Sequence, residues 1–187
     1  DPFGLDAEEL LRAFDAVWPD APKIGGLGSG GRNPGETALF LGGEIHRGGA
    51  VGIALCGDVV LDTLVAQGCR PIGHPLFVTR CRDGFLLEVD GMPPLDALQG
   101  LFEAASAEER ALMRSALFLG IEMSAGRDAY GQGDFLIRNL VGMDAESGAL
   151  AVAAPLAEAQ VVQFHVRDAR ASAADLEDRF DRYRRTN

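Results

Sequence analysis

The sequence LFVTRCRDGFLLEVD, residues 76–90, predicts a β-hairpin and indicates the class of fold. Two runs of mostly apolar residues, 76–81 and 85–90, flank Asp83-Gly84, a pair that accepts the positive φ angles of a tight turn. Antiparallel strands joined in this way need no crossover helix. The stretch therefore favours a sheet built from hairpins over a parallel α/β sheet.

The same pattern recurs along the chain. Gly42-Gly43 predicts the turn of a second hairpin between strands at residues 37–41 and 44–46. Further strands are predicted at residues 50–55, 59–65, 117–122, 135–142, 149–152 and 161–167. In the last strand Gln163, His165 and Arg167 alternate with apolar residues, so we expect one of its faces to contact water.

Helices are fewer than strands. They are predicted at residues 6–18, at 95–105, at 107–115 and in a C-terminal helix capped by Ser172. Ser106 followed three residues later by Glu109 forms a capping-box pattern. The sequence thus predicts an α+β fold with a mainly antiparallel or mixed β-sheet, built from hairpins and flanked by helices.

The composition excludes several classes of protein. The 187 residues include 17 basic and 28 acidic side chains, a formal net charge of −11, and 47% of the residues are apolar. These values are typical of a globular protein with a core, arranged as one domain or two small lobes. An acidic surface repels phosphates, and no run approaches the ~18 apolar residues of a membrane span, so we expect neither nucleic-acid binding nor membrane insertion.

The cysteines favour a reducing compartment. Cys56, Cys69 and Cys81 are odd in number and widely spaced, unlike a disulfide framework or a zinc site. No basic stretch followed by an apolar core begins the sequence, so we expect a soluble, cytoplasmic protein without an export signal. Residue 1 is Asp rather than Met, which leaves open a removed tag, transit peptide or preceding segment, and with it an organelle interior.

The catalytic and metal-binding motifs are incomplete. Residues 26–31 fit the pattern G-x-G-x-x-G, but Pro34-Gly35 follows where a dinucleotide site needs a helix. Ser29 has only part of the G-x-S-x-G elbow, and Cys69 reads more readily as a buried, inert thiol than as a reactive one.

The three histidines do not form a metal-binding motif either. His46, His74 and His165 are far apart in the sequence and form no metal-binding pair. We therefore expect no metal, no cofactor and no catalytic residues.

Five motifs, in order, resemble the FIST family. They are IGGLGSG at residues 24–30, GAVGIALCG at 49–57, QGCRPIG at 67–73, the hairpin exit LEVDG at 87–91, and DFLIRNLVG at 134–142 followed by VVQFHVRD at 161–168. The resemblance implies an intracellular sensory domain that binds small ligands such as amino acids, found in bacterial signal-transduction proteins and F-box substrate receptors. It also implies that residues 1–64 end the family's N-terminal module and that residues 65–187 begin its C-terminal module.

The sequence departs from the family at both ends. By the same resemblance, we expect most of the N-terminal module to lie outside this sequence, together with the Gly-Arg-Gly and Gly-Glu-Ile-Gly-Pro strands that the family usually has after the position of Asn187. We therefore expect any site shared with those parts to be incomplete in this chain.

Two functions remain open. A sensor would hold the carboxylate of a small ligand, such as an amino acid, on an arginine, and the candidate ligand-binding residues are Arg70, His74, Arg138 and Asn139. For Arg138, a salt bridge at the edge of the sheet is an equally favoured alternative to ligand binding. The second function is a non-catalytic interaction subunit, in which a protein partner or the remainder of the FIST fold covers open strand edges.

Overall fold

The computed structural model describes residues 1–28, 30–31, 33–127, 129–131 and 133–186. Ser29, considered above as a nucleophile, lies outside these residues. The chain divides into two compact units, residues 1–63 and 64–187, which are described separately below.

The described residues of the N-terminal unit form one helix and one hairpin. Helix α1 (Ala7–Val17) begins after Asp6, whose Oδ1 accepts hydrogen bonds from two backbone N–H groups of the first turn at 2.9 Å. Strands β1 (Leu39–Leu41) and β2 (Glu44–His46) pair antiparallel around Gly42-Gly43, whose φ angles are 59° and 83°. Both the helix and the hairpin confirm the sequence prediction.

The strands predicted at residues 50–55 and 59–65 are wrong. The chain forms no ladder there, and Ile53 and Val60 are 89% and 86% exposed. β-branched residues favour a strand only where a neighbouring strand completes the backbone hydrogen bonds and covers the side chains. Within the described residues, no strand pairs with this segment.

Over the part of it that the structure describes, the C-terminal unit is a seven-stranded antiparallel sheet with three helices, which confirms the predicted α+β class. Its strands are β3 (Cys69–Pro71), β4 (Leu76–Arg82), β5 (Phe85–Val89), β6 (Leu117–Glu122), β7 (Phe135–Met143), β8 (Leu150–Val152) and β9 (Val161–Arg167). Its helices are α2 (Pro94–Ala104), α3 (Ala107–Ser115) and α4 (Ala169–Thr186). The strand order is β3-β9-β4-β5-β8-β7-β6, and β6 pairs again with β9, so six of the strands close on themselves.

Strand β9 makes this closure. One of its edges pairs with β4 at Val162 and with β3 at Val166, while the other pairs with β6, Phe164 lying opposite Leu119. The side chains of Val162, Phe164 and Val166 are no more than 1% exposed and belong to the core cluster. Apolar residues of α2 and α3 pack against the same cluster. The core therefore lies between the closed strands and these two helices.

The expectation that one face of β9 contacts water is wrong for two of its three polar residues. Gln163 and His165 are 5% and 1% exposed, whereas Arg167 is exposed. The Gln163 amide donates a 2.9 Å hydrogen bond to the carbonyl of Gly73, and the His165 ring packs edge-on against Phe135 with 5.2 Å between centroids. Burial lowers the pKa of His165, and the carbonyl of Gln163 opposes that shift. Gln163 and His165, which alternate with the core residues of β9, are thus buried against other parts of the protein.

Of the two other helix caps that the sequence predicts, one is confirmed and one is wrong. The Ser106 hydroxyl accepts from the N–H of Glu109 at 3.1 Å, as the capping pattern predicted. The C-terminal helix begins earlier than predicted, because the Asp168 carboxylate accepts from the N–H groups of Arg170 and Ala171 at 2.9 and 3.3 Å. Ser172 is a residue within that helix rather than its cap.

Gly120 on β6 provides a direct test of this packing. A Cβ there would lie 2.5 Å from His165 Cε1 and 2.8 Å from Phe135 Cβ, so Gly120→Ala should lower the free energy of unfolding by about 1–3 kcal/mol. Gly100 in α2 is the matched control: a Cβ there meets nothing within 4 Å, and Gly100→Ala should raise stability by about 0.5–1 kcal/mol. Urea unfolding of both variants measures the difference. Equal effects of the two substitutions would contradict the packing described for His165.

Candidate ligand-binding site

The four candidate residues lie on three different parts of the C-terminal unit. Arg70 is on β3, His74 is in the loop from β3 to β4, and Arg138 and Asn139 are neighbours on β7. Successive residues of a strand point to opposite faces, so Arg138 and Asn139 do not face one ligand together.

Arg70 is held by two carboxylates. Its Nε donates to Asp168 Oδ2 at 3.0 Å, and its Nη1 donates to Glu109 Oε1 at 2.8 Å. The Glu109 hydrogen bond raises the pKa of Arg70 against the effect of burial, and the Arg70 hydrogen bond holds the pKa of Asp168 below its ordinary value. A ligand carboxylate that docked bidentately on this edge of the guanidinium would have to displace an existing partner. The adjacent Cys69 thiol is buried.

Arg138 and Asn139 occupy the middle of β7. Arg138 lies opposite Leu119 of β6 and is half-buried, whereas Asn139 lies opposite Phe118 and is exposed. The backbone carbonyl of Asn139 accepts a 3.0 Å hydrogen bond from the N–H of Ala153. The ligand role predicted for both side chains stays a prediction.

His74 lines a cavity of about 360 Å³ between the β4–β5 hairpin and α2. Its wall is mostly apolar, with three ionisable side chains, and the lining residues are His74, Leu76, Asp90, Met92, Asp96, Ala97, Gly100 and Leu101. Of the four candidates, His74 is the one that lines this cavity. We call the space enclosed by these residues the His74 cavity.

The loop that carries His74 is fixed by its neighbours. Ile72 donates its N–H to the carbonyl of Phe164 on β9 at 2.8 Å, and the Gly73 carbonyl accepts from the Gln163 amide. Gly73 has a φ of 65°, and a Cβ there would overlap the side chain of Leu101 on α2. The absence of a side chain at Gly73 therefore lets α2 pack close to the loop.

The opposite wall is the turn that ends β5. Asp90 has a φ of 48°, and its Oδ1 accepts from the N–H of Phe77 at 3.0 Å, while its own N–H donates to the carbonyl of Phe77 at 2.9 Å. Met92 then exchanges two backbone hydrogen bonds of 2.9 Å with Val89. These bonds set the position of the Asp90 and Met92 side chains beside α2.

Sequence reasoning missed Gly100. It reads as an ordinary helix glycine, but it faces the His74 cavity, and open space surrounds the position that its Cβ would take. A glycine within a helix lowers its stability relative to alanine. That unfavourable choice of residue is the feature of the sequence that could have marked this position as part of a site.

A second cavity, of about 590 Å³, lies along α4 and is strongly charged. Its lining includes Asp175, Asp178, Arg179 and Arg182. These residues pair with one another, since Arg179 Nε lies 3.0 Å from Asp175 Oδ1 and Arg182 Nη2 lies 2.6 Å from Asp178 Oδ2. A charged ligand would compete with these internal pairs.

No group of three or more His, Cys, Asp or Glu side chains in the described ranges is arranged to hold a metal ion. None of the helices there combines the length and the apolar composition that crossing a membrane requires.

Comparison with known proteins identifies two families of domain along the chain. Residues 1–92 match the FIST N domain and residues 94–186 match the FIST C domain. No solved structure matches the chain.

The curated relatives are uncharacterized mycobacterial proteins. One from Mycobacterium bovis and one from Mycobacterium tuberculosis strain CDC 1551 / Oshkosh are each 38% identical over 177 residues, which is 94% of this chain and 45% of theirs. Another, from Mycobacterium tuberculosis strain H37Rv, is 36% identical over 176 residues, 94% of this chain and 46% of that protein. The chain thus spans less than half the length of these relatives.

The Arg70 contacts lead to a stability prediction. Arg70→Gln leaves the Asp168 and Glu109 carboxylates without their cation, and we expect a loss of about 1–3 kcal/mol in the free energy of unfolding at pH 7. Because Arg70 lowers the folded-state pKa of Asp168, the part of this loss that comes from the Asp168 pair is present above the unfolded carboxyl value of about 3.9 and disappears as the pH falls through the folded value. Urea unfolding at several pH values between 7 and 3 measures it.

The control is Arg170→Gln. Arg170 is 90% exposed and lies 3.5 Å from Glu108, so its removal should change stability by less than about 0.5 kcal/mol. Two results would contradict this account of Arg70. They are a loss in the free energy of unfolding as small as that of Arg170→Gln, and a loss of the same size at every pH.

Proposed function

The chain belongs to the FIST family, and from that membership we propose that its C-terminal unit is an intracellular sensory module that binds a small ligand in the His74 cavity. FIST domains are associated with signal transduction and sensing. The proposed function is reversible binding and involves no catalytic step.

The His74 cavity is the observation that carries this proposal. Its volume of about 360 Å³ falls within the range of roughly 300–1,000 Å³ that small-molecule sites occupy. Leu76, Met92 and Leu101 provide apolar contact area, and His74 and Asp96 provide polar groups that can orient a ligand. This mixture is the usual composition of a small-molecule site.

The charged sites at Arg70 and along α4 are less favourable for ligand binding than the His74 cavity. Arg70 and Arg179 already pair with carboxylates of the chain, so a ligand anion must replace a bond that exists in the free protein. Only the difference between the two interactions would then contribute to affinity. A ligand in the His74 cavity instead fills space between a helix and a hairpin.

The position of the cavity suits a sensor. A ligand there would contact the β3–β4 loop, the turn after β5 and one face of α2 at the same time. Binding would stabilise the packing of α2 against the hairpin, because those contacts exist only in the folded state. That change in the stability of α2 is the proposed signal.

The second candidate function, an interaction subunit, rests on a different surface. It is favoured by the apolar side chains that the N-terminal unit exposes, among them Trp18, Phe40, Ile53 and Val60. The two functions can coexist, because they use different units of the chain.

A ligand panel tests the sensor function. With each of the twenty amino acids as probes, we expect at least one to stabilise the protein; a concentration of a hundred times its Kd contributes ~2.7 kcal/mol, about 5–10 °C in Tm for a chain of this size. Gly100→Leu should abolish that shift by filling the cavity. Thermal unfolding with and without each amino acid is the measurement.

Gly100→Ala is the matched control. It changes the same helix position but leaves most of the cavity open, so it should keep the ligand-dependent shift. The proposal fails if no amino acid shifts the transition, or if Gly100→Leu responds as fully as the unmodified protein does.

A further inference from the structure

The His74 cavity has an apolar floor and a polar mouth. Leu76 is 4% exposed and Leu101 is half-buried, so their side chains form its deeper part. His74, Asp90 and Asp96 line the same cavity but are exposed to solvent. A ligand that fits both regions has an apolar end, which enters the cavity, and a polar end, which stays near the three ionisable side chains.

The ionisable side chains at the mouth are two carboxylates and one imidazole. The described lining residues include neither lysine nor arginine. Within the described part of the chain, the Asp96 carboxylate has no hydrogen-bond or ion-pair partner, and the Asp90 carboxylate accepts only at Oδ1, from the N–H of Phe77. Ionised carboxylates accept hydrogen bonds and cannot donate them. The ligand group that complements them is therefore a donor.

The backbone N–H groups beside the two carboxylates already donate within the protein. Pro94 begins α2 and has no N–H, and the N–H groups of residues 95–97 donate to backbone carbonyls at 3.1, 3.0 and 3.3 Å. The N–H groups of Asp90 and Met92 also donate to carbonyls, both at 2.9 Å. A helix N-terminus binds an anion through free N–H groups, so the start of α2 does not suit a ligand carboxylate.

Charge favours a cationic ligand at the same place. An ammonium group donates three hydrogen bonds and accepts none, so it matches Asp90, Asp96 and a ring nitrogen of His74. A carboxylate at the mouth would be repelled by both aspartates, and two like charges about 5 Å apart in water weaken binding by about two- to fourfold. The net charge of −11 also attracts cations and repels anions over a longer range.

We propose that the His74 cavity selects small organic amines. The apolar group of the amine lies against Leu76, Met92 and Leu101, and its ammonium group is bound by Asp90 and Asp96. This assignment of a ligand class rests on the proposed function of the cavity. It differs from the carboxylate recognition expected from the sequence, because the candidate arginines do not line this cavity. A free amino acid can still bind through its ammonium group, but its carboxylate weakens the complex.

Two matched series of compounds test the class of ligand. Leucine, isoamylamine and N-acetylleucine share one apolar group, and phenylalanine, phenethylamine and N-acetylphenylalanine share another. The amines carry an ammonium group alone, the amino acids carry both charges, and the N-acetyl compounds carry the carboxylate alone. In calorimetric titrations at about pH 8, above the ordinary titration range of histidine, we expect the amine of at least one series to bind about three- to tenfold more tightly than its amino acid. The N-acetyl compounds should not bind measurably.

Substitution of the two aspartates connects this preference to the cavity. Asp96→Asn and Asp90→Asn each remove one negative charge at nearly constant volume. Asparagine tolerates the φ of 48° at position 90, and its side-chain oxygen can still accept from the N–H of Phe77. Each variant should bind the amine about three- to tenfold more weakly, and the difference in affinity between the amine and its amino acid should become smaller.

Glu103→Gln is the matched control for charge. It removes one negative charge from the same helix, α2, at an exposed position that does not line the cavity. The Glu103 carboxylate accepts from the Gln99 amide at 2.9 Å, and a glutamine there keeps an accepting oxygen. The amine should bind this variant within about twofold of its affinity for the unmodified protein, because salt screens a distant charge on the surface.

Three results would overturn the proposal. They are binding of neither amine, binding of an N-acetyl compound as tightly as its amine, and unchanged binding of the amine to both Asp variants. Alongside any of these, an amino-acid shift in Tm that Gly100→Leu abolishes would leave the proposed function in place and reject the class of ligand alone. The absence of a shift with every amino acid and with both amines would reject the function and the class together.

Discussion

The pairing of β9 with three other strands is the interaction on which the C-terminal unit depends. Residues 161–166 are six consecutive buried residues, and the backbone hydrogen bonds of β9 join β3 and β4 on one edge to β6 on the other. This double pairing closes the sheet, so the strands leave no open edge around the ring. It also buries Gln163 and His165, which must then find polar or aromatic partners within the protein.

The candidate site follows from the same strand. Because β3 and β4 pair with one edge of β9, the residues between them, 72–75, leave the sheet at that edge and carry His74 outward. The Gln163 amide holds Gly73 there, and the missing side chain at Gly73 allows α2 to approach. The His74 cavity is therefore a consequence of how β9 organises its neighbours, with Gly100 leaving the helix side open.

Local features of the fold could be predicted from the sequence, and features that depend on distant contacts could not. The turns at Gly42-Gly43 and Asp83-Gly84 and the Ser106 cap are encoded within a few residues, and all three are present. The strand predicted at residues 50–55 and the wet face of β9 were wrong, because each depends on what packs across from it. His74 was found as a loop residue, but the cavity beside it also needs Gly100 and the turn at Asp90, which no local pattern connects.

Native-state hydrogen exchange of β9 is the most direct test of this account. If β9 holds the closed sheet together, the amides of Val162, Phe164 and Val166 should exchange only through global unfolding, with a strong dependence on denaturant shared by β4 and β6. Exchange of these amides through a small, denaturant-independent opening, while β5, β7 and β8 stay protected, would contradict it. The sheet would then be held together without β9, and the position of His74 would need another explanation.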